Sequence, residues 1–494
     1  MRAMSVSEQE IARIVEKVVE RVESELSRSA PVAKHVDKTD KPWLANREGS
    51  APARAPASSD HGVFGDVNAA VTAAEKSFHE LQRTSLETRN KMIEAMRKAI
   101  MAAVRELSEA AVKETGLGRV EDKVKKNTNA ALQSPGLEDI RPVAWTGDHG
   151  LTLTDYAPYG VIGSITPTTN PTETIICNAI GMIAAGNSVV FNTHPGAKKI
   201  SARTVSLLND AMVSAGGPRN LLCCVGEPTI ESAGELMKHP KIALLVVTGG
   251  PAVVKAAMFS GKKAICAGPG NPPAVVDRTA NLKLAARNIY NGASLDNNIV
   301  CIVEKEIIVE AVVADELKSL LRQEGAYLLS DSDVAKLEKL VVEGHNVNKK
   351  FVGKDAAVIA REAGIKVDAA CRLLFCEVSS AAHPFVQAEL LMPLIPLLRV
   401  PTFEEAVATA VAVEHGFRHT ATIHSSNIDH LSVMAHAMNC SIFVKNGPSY
   451  AGLGIGGEGF TSYTIASPTG EGLTTARHFV RARRCTVTDH FRII

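Results

Sequence analysis

Between Ser5 and Arg28 apolar side chains recur at Ile11, Val15, Val18, Val22 and Leu26, and Glu, Lys and Arg fill most positions between them. Steps of three and four residues return to one face of a helix, so this spacing predicts a single amphipathic helix. Ser7 followed three residues later by Glu10 fits a capping box. Residues 29 to about 62 lose the periodicity and carry Pro31, Pro42, Pro52 and Pro56 among Ala, Ser and Gly, which predicts an extended linker. Helical spacing returns from Val67 to about Ala131. Short apolar runs then alternate with helical stretches: YGVIGSITP (159–167), NSVVFN (187–192), ALLVVTG (243–249), PAVVD (273–277) and CIVEKEIIVE (301–310) read as strands. Strand and helix in alternation predict an α/β fold with parallel sheets. No internal repeat is visible.

Composition excludes several classes. A length of 494 residues suits two to three domains, and 45% hydrophobic with 22% charged residues is an ordinary globular balance, unlike a disordered, collagen-like or coiled-coil chain. Lys and Arg number 54 against 53 Asp and Glu, so the formal net charge is +1. That balance argues against nucleic acid or an anionic membrane as partner, and 4% aromatic content argues against a base-stacking surface. The nine cysteines are scattered, with no Cys-x-x-Cys pair and no Cys/His cluster at zinc spacing. Neither a disulfide framework nor a metal site is expected, and a reducing cytoplasm is the expected compartment. No apolar run reaches the roughly 18 residues of a membrane span, and the N-terminus lacks the basic start and apolar core of a secretory signal.

Two features invite a function without fixing one. The N-terminal helix, cut off by its linker, either folds back or self-associates, or docks in a groove of another protein; six Glu against four basic residues give it the wrong sign for anionic lipid. Thr248-Gly249-Gly250 follows an apolar run and opens a helix expected over 252–259, where free backbone amides suit a phosphate. An ordinary tight turn explains the same residues. Gly454-Ile455-Gly456-Gly457 lacks a strand-turn-helix setting.

Seven segments, in order, carry a stronger signal: GVIGSITPTTNPTETI (160–175), AAGNSVVFNTHPGAK (184–198), VVTGGPAVVKAAM (246–258), AGPGNPPAVVD (267–277), GASLDNNIVCIVEKE (292–306), HPFVQAELLMPLIPLLRV (383–400) and GEGLTTARHFVRARRC (470–485). Over about 62–494 the chain resembles the aldehyde dehydrogenase superfamily, in particular its CoA-acylating branch from propanediol- and ethanolamine-utilising bacterial microcompartments. The resemblance implies a Rossmann-like cofactor domain over 62–141 and 159–267, an α/β catalytic domain over 268–460, and an oligomerisation arm from 142–158 and 461–494, in a homodimer or homotetramer. It likens residues 1–28 to an encapsulation peptide that binds a shell protein inside a microcompartment of the bacterial cytoplasm, with 29–61 as its linker.

The resemblance also assigns residues. Cys301, at the end of LDNNIVC, stands where the family has its nucleophile, and a thiolate suits attack on an aldehyde because the adduct passes readily to a thioester. Asn170 matches the amide donor to the oxyanion. Glu389 matches the carboxylate on the nicotinamide ribose. Pro167, Thr248, Gly249, Gly250, Asn192 and Gly226 fall in cofactor-binding positions, with Asn192 where many members place a Lys. His419 falls where acylating relatives have a His that could help deprotonate CoA or orient the acyl group, and a surface or core histidine is at least as good a reading. The other eight cysteines read as core. Hydrolytic members carry a water-activating Glu where this chain has Ala267, so the implied reaction transfers the acyl group to coenzyme A, with NAD as oxidant and a short aldehyde as substrate. Two alternatives stay open: a hydrolytic enzyme with another base, and a non-catalytic protein of the compartment.

Overall fold

The computed structural model describes residues 61–343 and 346–492. The helix expected over 5–28 and nearly all of its linker lie outside them. A two-residue strand, β1 (Val63–Phe64), is followed by three helices, α1 (Val67–Leu81), α2 (Leu86–Thr115) and α3 (Val120–Gln133). An antiparallel hairpin comes next, β2 (Val143–Gly147) and β3 (Gly150–Pro158). Alternation then begins with β4 (Val161–Thr166), α4 (Pro171–Ala184), β5 (Ser188–Thr193), α5 (Lys198–Ser214) and β6 (Leu222–Val225). It continues through α6 (Ile230–Lys238), β7 (Ile242–Thr248), α7 (Pro251–Met258) and β8 (Ala264–Ala267). These strands form a six-stranded sheet in the order β1-β6-β5-β4-β7-β8, parallel throughout.

A second sheet takes the following half of the chain. Its strands are β9 (Pro273–Val276), β10 (Glu306–Glu310), β11 (Tyr327–Leu328), β12 (Leu374–Val378), β13 (Leu394–Val400), β14 (Thr420–His424) and β15 (Ile442–Lys445). They run parallel in the order β11-β12-β13-β10-β9-β14-β15. The last strand, β16 (Val480–Thr488), leaves this body and pairs antiparallel with β3 from Val480 opposite Pro158 to Thr488 opposite Gly150. Among the described residues no helix is long and apolar enough to cross a membrane.

The sequence explains the layering. β4 and β5 are buried at every residue, as expected of parallel strands covered by helices on both faces, and α4 is buried along its whole length. Ile175, Ile176 and Met182 of α4 join Val189 and Phe191 of β5 and Met96 and Ile100 of α2 in one core. Leu295, Val300 and Ile302, which flank Cys301, belong to the same cluster. The loop that carries the thiol is thus anchored in the core of the preceding half.

Two expectations need correction. The run 301–310 is a strand only from Glu306 onward, because residues 301–303 turn and the Asn298 and Lys305 side chains tie this segment back to the loop before it, as described below. Cys485 is exposed on β16, so its reading as a core residue fails, because a sheet with little packed against it leaves its side chains in solvent; Cys440 is half-buried against the core of the second sheet.

Candidate active site

In the first sheet the chain winds outward from β4 through β5 to β6, then returns to the other side of β4 with β7 and β8. The loops leaving β4 and β7 therefore diverge, and the crevice between them is where open parallel sheets bind ligands. A cavity of about 170 Å³ lies there. Pro167 and Asn170 line it from the loop after β4, Thr248, Gly249 and Gly250 from the turn after β7, and Gly268 and Pro269 from the loop after β8. The loop before β10 brings Cys301, and the one before β13 brings Glu389. Seven of the ten residues assigned by resemblance thus share one cavity.

Three assigned residues lie apart from it. Asn192, on β5, is buried with its amide engaged: Oδ1 accepts from Ser232 Oγ at 2.6 Å and Nδ2 donates to Thr229 O at 3.4 Å. Gly226 follows β6, and its N–H donates to Phe64 O. Both sit toward the same edge of the first sheet, on strands beyond β4. His419 is fully buried. A Cβ at Gly270 would meet both its ring and the Cys301 carbonyl, so His419 stands behind the cavity wall. Burial and Lys305 push its imidazole down to about 3; Nδ1 contacts Thr420 Oγ1 at 2.9 Å, and Nε2 has no partner.

The nucleophile loop has an unusual backbone. Asp296, Asn297 and Asn298 have φ of 48°, 55° and 64°, three successive left-handed residues, and Asp and Asn are the non-glycine types that tolerate this region best. Side chains lock each one. Asp296 Oδ1 accepts from the Arg119 N–H at 2.7 Å. Asn297 Nδ2 donates to Gly353 O and Asp355 Oδ1, both at 2.9 Å. Asn298 Nδ2 donates to Ala293 O at 2.8 Å and Glu304 O at 3.0 Å, while Lys305 Nζ donates at 2.7 Å to both the carbonyl and the Oδ1 of Asn298. The loop is closed on itself, with Cys301 at its crest.

The electrostatics follow from burial. Burial and the Glu389 charge push the Cys301 thiol up to about 12, and burial moves Glu389 up to about 7 and Lys305 down to about 8. Glu389 Oε1 accepts from the Gly270 N–H at 3.4 Å. Behind Asn170 lies a group that sequence reasoning missed. Lys123, Lys126, Glu173 and Asp296 are all fully buried, and Lys126 touches both carboxylates and the Asn170 amide. Their one signal in the sequence is positional: Lys123, Lys126, Asn127, Ala130 and Ala131 occupy the spacing of a buried helical stripe on α3.

The turn after β7 suits a dinucleotide phosphate. Gly250 caps α7 without a side-chain partner, and a Cβ there would meet nothing, leaving the helix N-terminus open to the cavity.

The profile of the aldehyde dehydrogenase family matches residues 53–461. The acetylating acetaldehyde dehydrogenase EutE of Salmonella typhimurium LT2 is 51% identical over 448 residues, 89% of this chain and 95% of its own. A propionaldehyde dehydrogenase of Rhodopseudomonas palustris, solved with bound CoA and an acylated cysteine, has a TM-score of 0.86 and 48% identity, covering 87% of this chain and 99% of that one. The propionaldehyde dehydrogenase of the Clostridium phytofermentans fucose utilisation bacterial microcompartment also scores 0.86 at 46% identity, covering 88% and 100%.

Proposed function

Because the chain belongs to the aldehyde dehydrogenase family, we propose that it oxidises a short aliphatic aldehyde to the acyl-coenzyme A, through a thioester on Cys301 and with NAD as oxidant. The carrying observation is what the cavity contains and lacks. It sets a thiol beside an amide donor, and among the described residues lining it Glu389 is the one carboxylate. Where hydrolytic members hold a water-activating Glu, Ala267 ends β8 as a buried methyl. Without that base the thioester waits for a stronger nucleophile.

The chain's own residues then divide the work. Thr248, Gly249 and Gly250 hold a phosphate at the start of α7, Glu389 holds a ribose, and Asn192 and Gly226 flank the adenosine end. The bound nicotinamide ring supplies the hydride acceptor. Cys301 forms a C–S bond to the aldehyde carbon, and Asn170 donates to the resulting oxyanion. After oxidation the CoA sulfur bonds to the acyl carbon, the Cys301 C–S bond breaks, and the thiolate of Cys301 is restored. His419, buried behind the cavity wall, is assigned no step. The relatives act on acetaldehyde and propionaldehyde, which supports a short aliphatic substrate.

We further propose that residues 1–28 bind a microcompartment shell protein, supported by the amphipathic spacing and by the compartment of the Clostridium relative. Residues 62–141 and 159–267 form the cofactor domain, 268–460 the catalytic domain, and 142–158 with 461–494 the arm of a homodimer or homotetramer. Exposed Val143 and Trp145 on β2 support the arm as a contact surface.

The deciding experiment follows NADH from propionaldehyde with and without CoA and identifies the product by mass spectrometry. Sustained NADH formation should require CoA and yield acyl-CoA in equal amount. Sustained turnover to free acid without CoA would refute the acylating reading.

A further inference from the structure

We infer that Lys126 is a positioning residue for the oxyanion amide: its ammonium fixes which end of Asn170 faces the cavity, and through Asp296 it ties that amide to the loop carrying Cys301. The inference rests on the proposed role of Asn170 and concerns how that role is enforced.

The argument begins with hydrogen-bond capacity. An ammonium has three donors and no acceptor. Lys126 Nζ donates one hydrogen to Asn170 Oδ1 at 2.6 Å and forms ion pairs with Asp296 Oδ2 at 2.5 Å and Glu173 Oε1 at 3.0 Å. Only an amide oxygen can face an ammonium at that distance, so the orientation of Asn170 is unambiguous. Its Nδ2 gives one hydrogen to Thr169 Oγ1 at 3.2 Å and keeps the other for the cavity. The amide is not spent on the helix, because Asn170 N-caps α4 without a side-chain cap bond. Donation by a cation to the amide oxygen also polarises the amide and makes its N–H a stronger donor.

Burial keeps the arrangement permanent. Burial opposes the Lys126 charge, yet Asp296 and Glu173 outweigh it and hold the ammonium protonated. Lys123 donates to Asp296 Oδ2 at 3.1 Å and to Thr169 O at 3.2 Å, so two cations balance two carboxylates and both lysines hold the Thr169–Asn170 segment. Gly118 leaves the room that the Asp296 carboxylate occupies, since a Cβ there would collide with it. Asp296 is also the first of the three left-handed residues leading to Cys301. One ammonium therefore touches the donor and the base of the nucleophile loop at once.

The test is a double-mutant cycle on kcat. Lys126→Met with Glu173→Gln removes one buried charge of each sign and leaves the Lys123 and Asp296 pair intact. Asn170→Ala should lower kcat roughly 10²- to 10³-fold, as loss of one oxyanion donor does elsewhere. Made in the Asn170 background, the paired substitution should lower kcat on the order of tenfold with KM for CoA unchanged; in the Ala background it should add less than about twofold. Equal losses in both backgrounds would show a structural role and overturn the inference while leaving Asn170 as the donor. An unchanged kcat in Asn170→Ala would overturn the reading of Asn170, and the inference with it. Should the paired variant fail to fold, Lys126→Gln runs the same cycle with a neutral donor in place of the cation, and additivity there overturns the inference equally.

Discussion

With its thiol held near 12 by burial and by Glu389, Cys301 carries little thiolate at neutral pH while the site is empty. The thiolate is the nucleophile, so its reactivity should climb with pH without levelling off in the neutral range. Alkylation of the ligand-free protein by iodoacetamide should therefore accelerate about tenfold per unit from pH 7 to 9; a plateau below pH 8 in the inactivation rate would contradict the shift. Cys301, Asn170 and Glu389 were legible in the sequence because each sits in a contiguous motif. Lys126 was not: Asn170 lies 44 residues away along the chain, and the Lys123 carboxylate partner, Asp296, lies 173 away. No local pattern encodes contacts of that range.

At the scale of elements, the parallel strands were readable as runs of apolar residues, and β4, β5, β7 and β9 fall within a residue or two of the segments expected. The segment from Cys301 to Lys305 was misread because it is just as apolar at its start, while its conformation is dictated by Asn298 and Lys305. Helix α3 hid its importance for the opposite reason: its buried stripe is filled with Lys and Asn, so hydrophobic periodicity passes over it. The loop yields a direct prediction. Asn298→Ala loses two donated bonds and one accepted from an ammonium, and places Ala in a left-handed backbone, so urea denaturation should register a loss of about 3 kcal/mol. A change below about 0.5 kcal/mol would mean that the loop is held by other contacts.

For the whole molecule, the separation of an N-terminal helix from the catalytic body was drawn from spacing and linker composition, and its reading as an address from the family resemblance. Deleting residues 1–40 should leave kcat and KM within about twofold and abolish co-sedimentation with assembled shells; lost turnover, or unchanged co-sedimentation, would sink that division. The chain's two large sheets were legible as alternation, but their mutual placement was not, since it depends on loops such as 295–305 packing into the core of the first half. That placement has a practical consequence. Asn170 and the turn after β7 hang from one sheet, Cys301 and Glu389 from the other, and neither half owns a complete site. Turnover by this protein is thus a proximity signal as well as a chemical one: two fragments divided between the sheets would each be silent, and the appearance of NADH would count the moment of their reunion.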